Sequence, residues 1–368
     1  MLSWTAPGDD GPAGIAARYH VCYSTQPING GDLGGCVDRV LFDVPKPAGG
    51  PEQVALEMPD PDTRYYFVVQ AEDEAGNRGA PSNVEYTYSY VEDVDGDGLP
   101  NQWEEAFGFN PYVPGEQFAD PDGDALNNLQ EYQHGTLPNQ WDTDGDRLSD
   151  GLEVSASTSP TDGGDPPTGT ALTAKQYADG RKVGCAYLAV TAAFPDGSSY
   201  ADEWDRSGGI RLDGVAAAPG TMIEVIGTLA TASGERCLTS CTYRAKEPVS
   251  LAPLGMTNKS LGGGDWRYDP VTGKGQEGVE GGSGLNNIGL LVKTWGRVRS
   301  VDAGSKSFVI DDGSNVNLKC VAPTAVSVPA VNQYVAVTGI SSCEAGLSGR
   351  PVRLLRAREP TDIRAFPE

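Results

Sequence analysis

Three short stretches carry the residues best suited to chemistry: "DVDGDGLPNQWE" (93–104), "DPDGDALNNLQE" (120–131) and "DTDGDRLSDGLE" (142–153). Each sets aspartate at its first, third and fifth positions and glutamate at its twelfth. Alternate side chains of a curled loop point to one side, so each stretch can gather three carboxylates around one point. A Ca²⁺ ion takes about six to eight oxygens at roughly 2.3–2.6 Å, including a backbone carbonyl at the seventh position and a closing bidentate glutamate. The ligand set this predicts is Asp93, Asp95, Asp97, Leu99, Asn101 and Glu104 in the first loop. In the second it is Asp120, Asp122, Asp124, Leu126, Asn128 and Glu131. In the third it is Asp142, Asp144, Asp146, Leu148, Asp150 and Glu153. The leucines would offer only their carbonyls, freeing the side chains to form a small local core. Hard oxygen donors without His or Cys disfavour zinc and copper, so about three Ca²⁺ ions are the expected cofactor. Gly98 occupies the sixth position, where the turn is sharp. Ala125 and Arg147 replace it in the other loops, at a conformational cost.

The loops lie in a segment of unusual charge. The 368-residue chain has a formal net charge of −24, and residues 93–165 hold 17 Asp and Glu against Arg147 alone. Such a segment needs counter-ions, and three Ca²⁺ would offset six of its sixteen net charges. It has too few apolar residues for a conventional core, so metal binding must supply most of its folding free energy. The overall acidity argues against a nucleic-acid partner, which calls for basic surface. No apolar run is long enough to span a bilayer.

The elements around the loops read as β structure. Abundant Gly and Pro with period-two strands such as "ARYHVCYS" and "TRYYFVVQAED" predict a sandwich over residues 1–90. His20 falls within the first of these strands. In the C-terminal part, "IEVIGTLATASGERCLTSCTYRAKEP" aligns without gaps on "VAVTGISSCEAGLSGRPVRLLRAREP", placing Gly227 on Gly339 and Arg244 on Arg356. Each repeat predicts five short strands closing into a Greek-key barrel. The barrels span 170–250 and 289–368, joined by a Gly-rich connector over 251–288 that carries Trp and Tyr and is expected to pack across both. The fold class is therefore mainly β and multidomain. Tyr200, Trp204 and Arg211 are expected to serve core and edge packing on the first barrel, the alternative being a stacking face for a sugar or base.

These residues carry three resemblances. Trp4 in "LSWTAP", Tyr65 at the tyrosine-corner position and the turn "DEAGNRGAPSN" resemble a fibronectin type III domain. That domain's first strand would precede the chain's first residues. The loop segment resembles bacterial thrombospondin type 3 and dockerin-like calcium repeats. The loop starts are 27 and 22 residues apart, and "FGFNP" and "QHGTLPNQW" end any helix early. That resemblance makes Asp150 and Asp162 candidates for shared ligands. Both barrels resemble OB-fold modules of secreted bacterial multidomain proteins.

Together these imply a non-enzymatic extracellular or cell-surface protein with a structural, adhesive or filament role, its calcium spacer rigid. Its expected partners are further copies, through strand complementation, or matrix components, with no nucleic acid. The alternative is a carbohydrate-binding region of a larger secreted enzyme. An oxidising compartment predicts disulfides Cys22–Cys36 and Cys320–Cys343, and Cys185 with Cys237 or Cys241, the alternative being buried free thiols. Proteolysis with and without a chelator tests the segment's dependence on metal. Calcium removal should expose new cuts within 93–165 and leave the sandwich and barrels intact; identical patterns would contradict it.

Overall fold

The computed structural model describes residues 1–7, 13–29, 32–41, 45–60, 63–88 and 93–366, which divide between two units, Met1–Ala119 and Asp120–Glu368. The chain is mainly β, with several separate sheets. Among the described residues no helix is long and apolar enough to cross a membrane.

In the first unit, β1 (Leu2–Thr5) pairs antiparallel with β4 (Pro51–Val54). A second sheet runs β3 (Val37–Leu41), β2 (Arg18–Ser24), β5 (Arg64–Glu72) and β6 (Glu85–Tyr88). Alternation along β2 and β5 turns Tyr19, Val21 and Tyr23 and Tyr65, Phe67 and Val69 into one core. Trp4 on β1 meets Tyr19 on β2 edge-on, with ring centroids 5.1 Å apart. The Tyr65 hydroxyl donates to the Asp60 carboxylate and accepts from the Asp60 N–H. His20 is buried in β2, with Nε2 2.7 Å from Glu72 and Nδ1 3.2 Å from Asp38. The Cys22–Cys36 disulfide forms as expected. This unit also holds helix α1 (Asn101–Phe107) and, after it, a 3-10 turn at Glu116–Phe118.

The second unit opens with α2 (Asn128–His134), α3 (Asp150–Ala156) and α4 (Ala171–Ala174). Five strands then close a barrel: β7 (Lys182–Ala193), β8 (Ser198–Glu203), β9 (Gly209–Asp213), β10 (Thr221–Ala232) and β11 (Glu235–Pro248), the last parallel to β9. The connector adds β12 (Leu254–Gly255) and the hairpin β13 (Trp266–Asp269) and β14 (Lys274–Gln276). A second barrel repeats the pattern in β15 (Leu291–Asp302), β16 (Ser307–Asp311), β17 (Asn317–Val321), β18 (Tyr334–Ala345) and β19 (Pro351–Arg356), closed by β15 with β18. Strand β20 (Ile363–Ala365) then pairs along β18. The repeated glycines occupy matching places: Gly227 lies on β10 and Gly339 on β18. At each, a Cβ would run into the following strand, 2.9 Å from Leu238 and 2.4 Å from the Arg356 carbonyl.

Two expected disulfides do not form. Cys320 sits in the second barrel's core, whereas Cys343 packs with Val279 and Ile288, and Cys185 lies inside the first barrel. Burial pushes the thiols of Cys237 and Cys241 up to about 11 and about 12.

The two barrels meet through buried polar groups. Asp202 on β8 accepts from Leu291 N–H at 3.0 Å, and Glu235 on β11 accepts from Cys343 N–H and from the Tyr200 hydroxyl. The connector joins this contact: buried Lys175 donates to the Ile288 carbonyl at 2.8 Å, and Gln276 to Gly234 at 2.7 Å. At the centre Gly209 and Gly289 approach so closely that a Cβ on either would lie 2.6 Å from the other's backbone. Gly209→Ala should therefore lower the melting midpoint by several degrees, from a strain of about 1–3 kcal/mol. Gly255→Ala, whose Cβ would meet nothing within 4 Å, should leave it unchanged. Equal midpoints for the two variants would refute the contact.

Candidate metal centre

The three loops are built alike. The first aspartate closes the turn: Asp93 accepts from the N–H groups of Gly96 and Gly98, Asp120 from Gly123 and Ala125, and Asp142 from Gly145 and Arg147, all at 2.7–3.1 Å. The third and fifth residues each use one oxygen to accept the N–H two residues on. Gly98, Ala125 and Arg147 all adopt the left-handed conformation, φ 95°, 83° and 82°. The two non-glycine residues hold it at about 1–2 kcal/mol each. Leu99, Leu126 and Leu148 are buried beneath their loops.

This bracing leaves oxygens over. The second Oδ of Asp95, Asp97, Asp122 and Asp144 is buried with no hydrogen-bond partner. So are both oxygens of Glu104, Glu131 and Glu153, whose residues are 0%, 1% and 0% exposed. The glutamates enter from α1, α2 and α3, the short helices after each loop. Burial, then the neighbouring aspartates, push Glu104 and Glu131 up to about 7 and Glu153 to about 9. The same causes raise Asp122 to about 6.

Within 4.8 Å of one another stand ligand atoms of Asp93, Asp95 and Asp97, of Asp120, Asp122 and Asp124, and of Asp142, Asp144 and Asp146. Glu104 and Glu153 lie outside these tightest groups, yet the charges of Asp95 and Asp97, and of Asp146 and Asp144, add to burial in raising them. A fourth group joins Asp124, Glu131 and Asp150, linking the second loop to the third. The ninth-position residues mostly brace backbone instead: Asn101 accepts from Val94 N–H, and Asp150 from Thr143 N–H and its hydroxyl. Asn128 is fully buried. Asp162 adds negative potential at Asp144. Oxygens alone, buried and crowded, fit a hard divalent cation.

Anchors on the first barrel and on the segment leading into it, which local spacing does not reveal, hold the second and third loops. Arg244 on β11 donates to the Gly123 carbonyl, Ser149 to Glu224 at 2.6 Å, and Thr168 to the second Oδ of Asp146 at 2.6 Å. Leu148 and Leu152 pack on Ala186 and Ile226 of the barrel wall. Lys246 pairs with Glu224 at 2.8 Å and lies over the rings of Trp141 and Tyr187. Gly151 N–H donates to Asp124 at 2.8 Å, and a Cβ on Gly151 would fall 2.3 Å from the Asp124 carbonyl.

No family model matches the chain, and no curated protein does. Solved structures similar in part include a murine DNA-binding protein bound with double-stranded DNA. It is 9% identical, covers 50% of this chain and 96% of its own, and has a TM-score of 0.27. The Ifi202 HINa domain in complex with 20-base-pair DNA is 12% identical, with 52% and 97% coverage and a TM-score of 0.24. A third, described as "Structural mimicry for functional antagonism", is 14% identical, with 53% and 100% coverage and a TM-score of 0.23. At these scores they assign no ligand here. Two of them are complexes with double-stranded DNA, against the expected absence of a nucleic-acid partner, and that expectation is not carried further. The expected extracellular structural, adhesive or filament role is likewise not carried further. The physical error lay in averaging the charge. Sixteen of the net negative charges sit in residues 93–165, whereas residues 289–368 carry ten Lys and Arg against seven Asp and Glu.

The raised carboxylates set a sign. A group whose folded value exceeds its ordinary one adds stability below the ordinary value and loses it as pH rises through the folded value. Without metal, stability should therefore fall between about pH 4.5 and about pH 9, the ordinary and folded values of Glu153. Melts in chelator across this range should decline, and Glu153→Gln, which mimics the neutral acid, should flatten the decline. A level wild-type profile would refute the electrostatic account.

Proposed function

We propose that the chain is a calcium-dependent protein whose three aspartate loops take up Ca²⁺. The ion orders residues 93–165 and seats the second and third loops on the first barrel. The observation that carries this reading is the burial of Glu104, Glu131 and Glu153 without partners, each near an aspartate with one buried Oδ that also lacks one. A buried carboxylate left unpaired costs several kcal/mol, and a divalent cation turns that cost into binding energy. Asp93, Asp95, Asp97 and Glu104 would hold one ion. Asp120, Asp122, Asp124 and Glu131, with Asp150 beside them, would hold the second. Asp142, Asp144, Asp146 and Glu153 would hold the third. The carbonyls of Leu99, Leu126 and Leu148 supply backbone oxygens. When bound, the ion supplies positive charge and cross-links; the chain's own residues brace the loops and dock them. No catalytic step is assigned.

Free Ca²⁺ near millimolar suits loops of this type, and the Cys22–Cys36 disulfide supports an oxidising, calcium-rich compartment. Isothermal titration of chelator-stripped protein with CaCl₂ should give about three sites, and equimolar Mg²⁺ should not fill them. Glu104→Gln, Glu131→Gln and Glu153→Gln should each remove or weaken one site at least tenfold, the loss expected when a bidentate charged ligand is neutralised. Absence of calcium uptake, or three variants that bind as the parent does, would overturn the proposal.

A further inference from the structure

The second barrel carries a surface unlike the rest of this acidic chain. Along β15 the side chains alternate: Val292, Thr294 and Val298 are buried, while Lys293, Trp295 and Arg297 face outward. The antiparallel ladders extend this outer face onto β18 and β20. Lys293 stands opposite Thr338, Trp295 opposite Ala336, and Arg297 opposite Tyr334. Ala336 in turn stands opposite Arg364, and Phe366 N–H donates to the Tyr334 carbonyl at 2.9 Å. Directly opposed residues project to the same side. The face therefore interleaves Lys293, Arg297 and Arg364 with Trp295, Tyr334 and Phe366, residues that are 53%, 59% and 47% exposed.

Its charge is not cancelled locally. Asp311, opposite Arg297 in the ladder, is taken by Arg299 at 3.0 Å. Among the described residues, Lys293, Arg297 and Arg364 have no ion-pair partner. Three exposed rings and three free cations on one sheet face are costly as plain surface, since large aromatics are normally kept from water.

We propose that this face binds single-stranded nucleic acid, with bases stacked on Trp295, Tyr334 and Phe366 and phosphates held by Lys293, Arg297 and Arg364. Cations alone would suit any polyanion. The interleaved rings give a π-face to bases, which a sulfated sugar or an acidic peptide cannot use. Successive rows on the face are two residues apart, about 6.8 Å. That equals two base steps of about 3.4 Å, the room needed for a ring between neighbouring bases. A duplex, whose bases are already stacked, would meet only the cations.

The test is fluorescence anisotropy of a labelled oligothymidylate of about 15 nucleotides, within the range of single-stranded site sizes on such barrels. It uses the full chain with calcium present. Binding should be saturable at about 50 mM salt and weaken steeply as salt rises. Trp295→Ala should weaken it about tenfold or more, while circular dichroism and melting midpoint stay unchanged. Lys293→Gln with Arg364→Gln should reduce the slope of log K against log salt by about 1.4, two contacts at about 0.7 each. Tyr334→Leu, which keeps an apolar side chain but no ring, provides a second reading of stacking. No binding at low salt would overturn the proposal. So would binding that both ring variants leave unchanged, or equal affinity for heparin and duplex DNA with no effect of Trp295→Ala.

Discussion

Like charges held closer than solvent would allow govern the acidic segment. Within each loop, carboxylate oxygens stand within 4.8 Å of one another. At an effective dielectric near 20, each such pair repels by about 3 kcal/mol. The apolar material opposing this is meagre: one leucine under each loop, plus Leu152 against the barrel wall. Side chains of that size contribute about 1.5–3 kcal/mol each on burial. Repulsion therefore exceeds burial unless a cation or protons intervene. The raised titration of the three glutamates is the proton's answer to the problem, and the aspartate geometry is the cation's.

That constraint explains how charge is distributed over the rest of the chain. The second and third loops rest on a barrel that presents Arg244 and Lys246 towards them, with Glu224 held between those cations and Ser149. The second barrel has little acidic surface to answer. Among its basic residues, Arg299, Lys319, Arg350, Arg356 and Arg358 pair with Asp311, Glu344, Asp265, Asp196 and Asp362, while Lys293, Arg297 and Arg364 lie on the β15 face. Net charge over the whole chain thus describes neither barrel: residues 170–250 hold eight Lys and Arg against nine Asp and Glu, and residues 289–368 ten against seven.

The legible parts were those encoded over short distances. Aspartate at alternate positions, glutamate at the twelfth and leucine at the seventh mark the loops because every ligand lies within twelve residues. The repeat around Gly227 and Gly339 marks the barrels because each glycine meets the next strand of its own hairpin. What escaped the sequence depends on distant faces meeting. Cys320 and Cys343 share a repeat but face different cores. Asp124 meets Asp150 only because α3 lies on the second loop, and Arg244 reaches Gly123 across 121 positions. The outward row of β15 alternates plainly in sequence, but its neighbours on β18 and β20 become visible only in the ladder.

Gly151 bears on how this chain can vary over generations. With no room for a methyl group between it and the Asp124 carbonyl, the second and third loops fit each other through bare backbone. Neither can be exchanged, duplicated or lost without remaking the other. The pair is thus a single heritable block, and insertions between them would have to bulge outward between His134 and Trp141, leaving that one contact untouched.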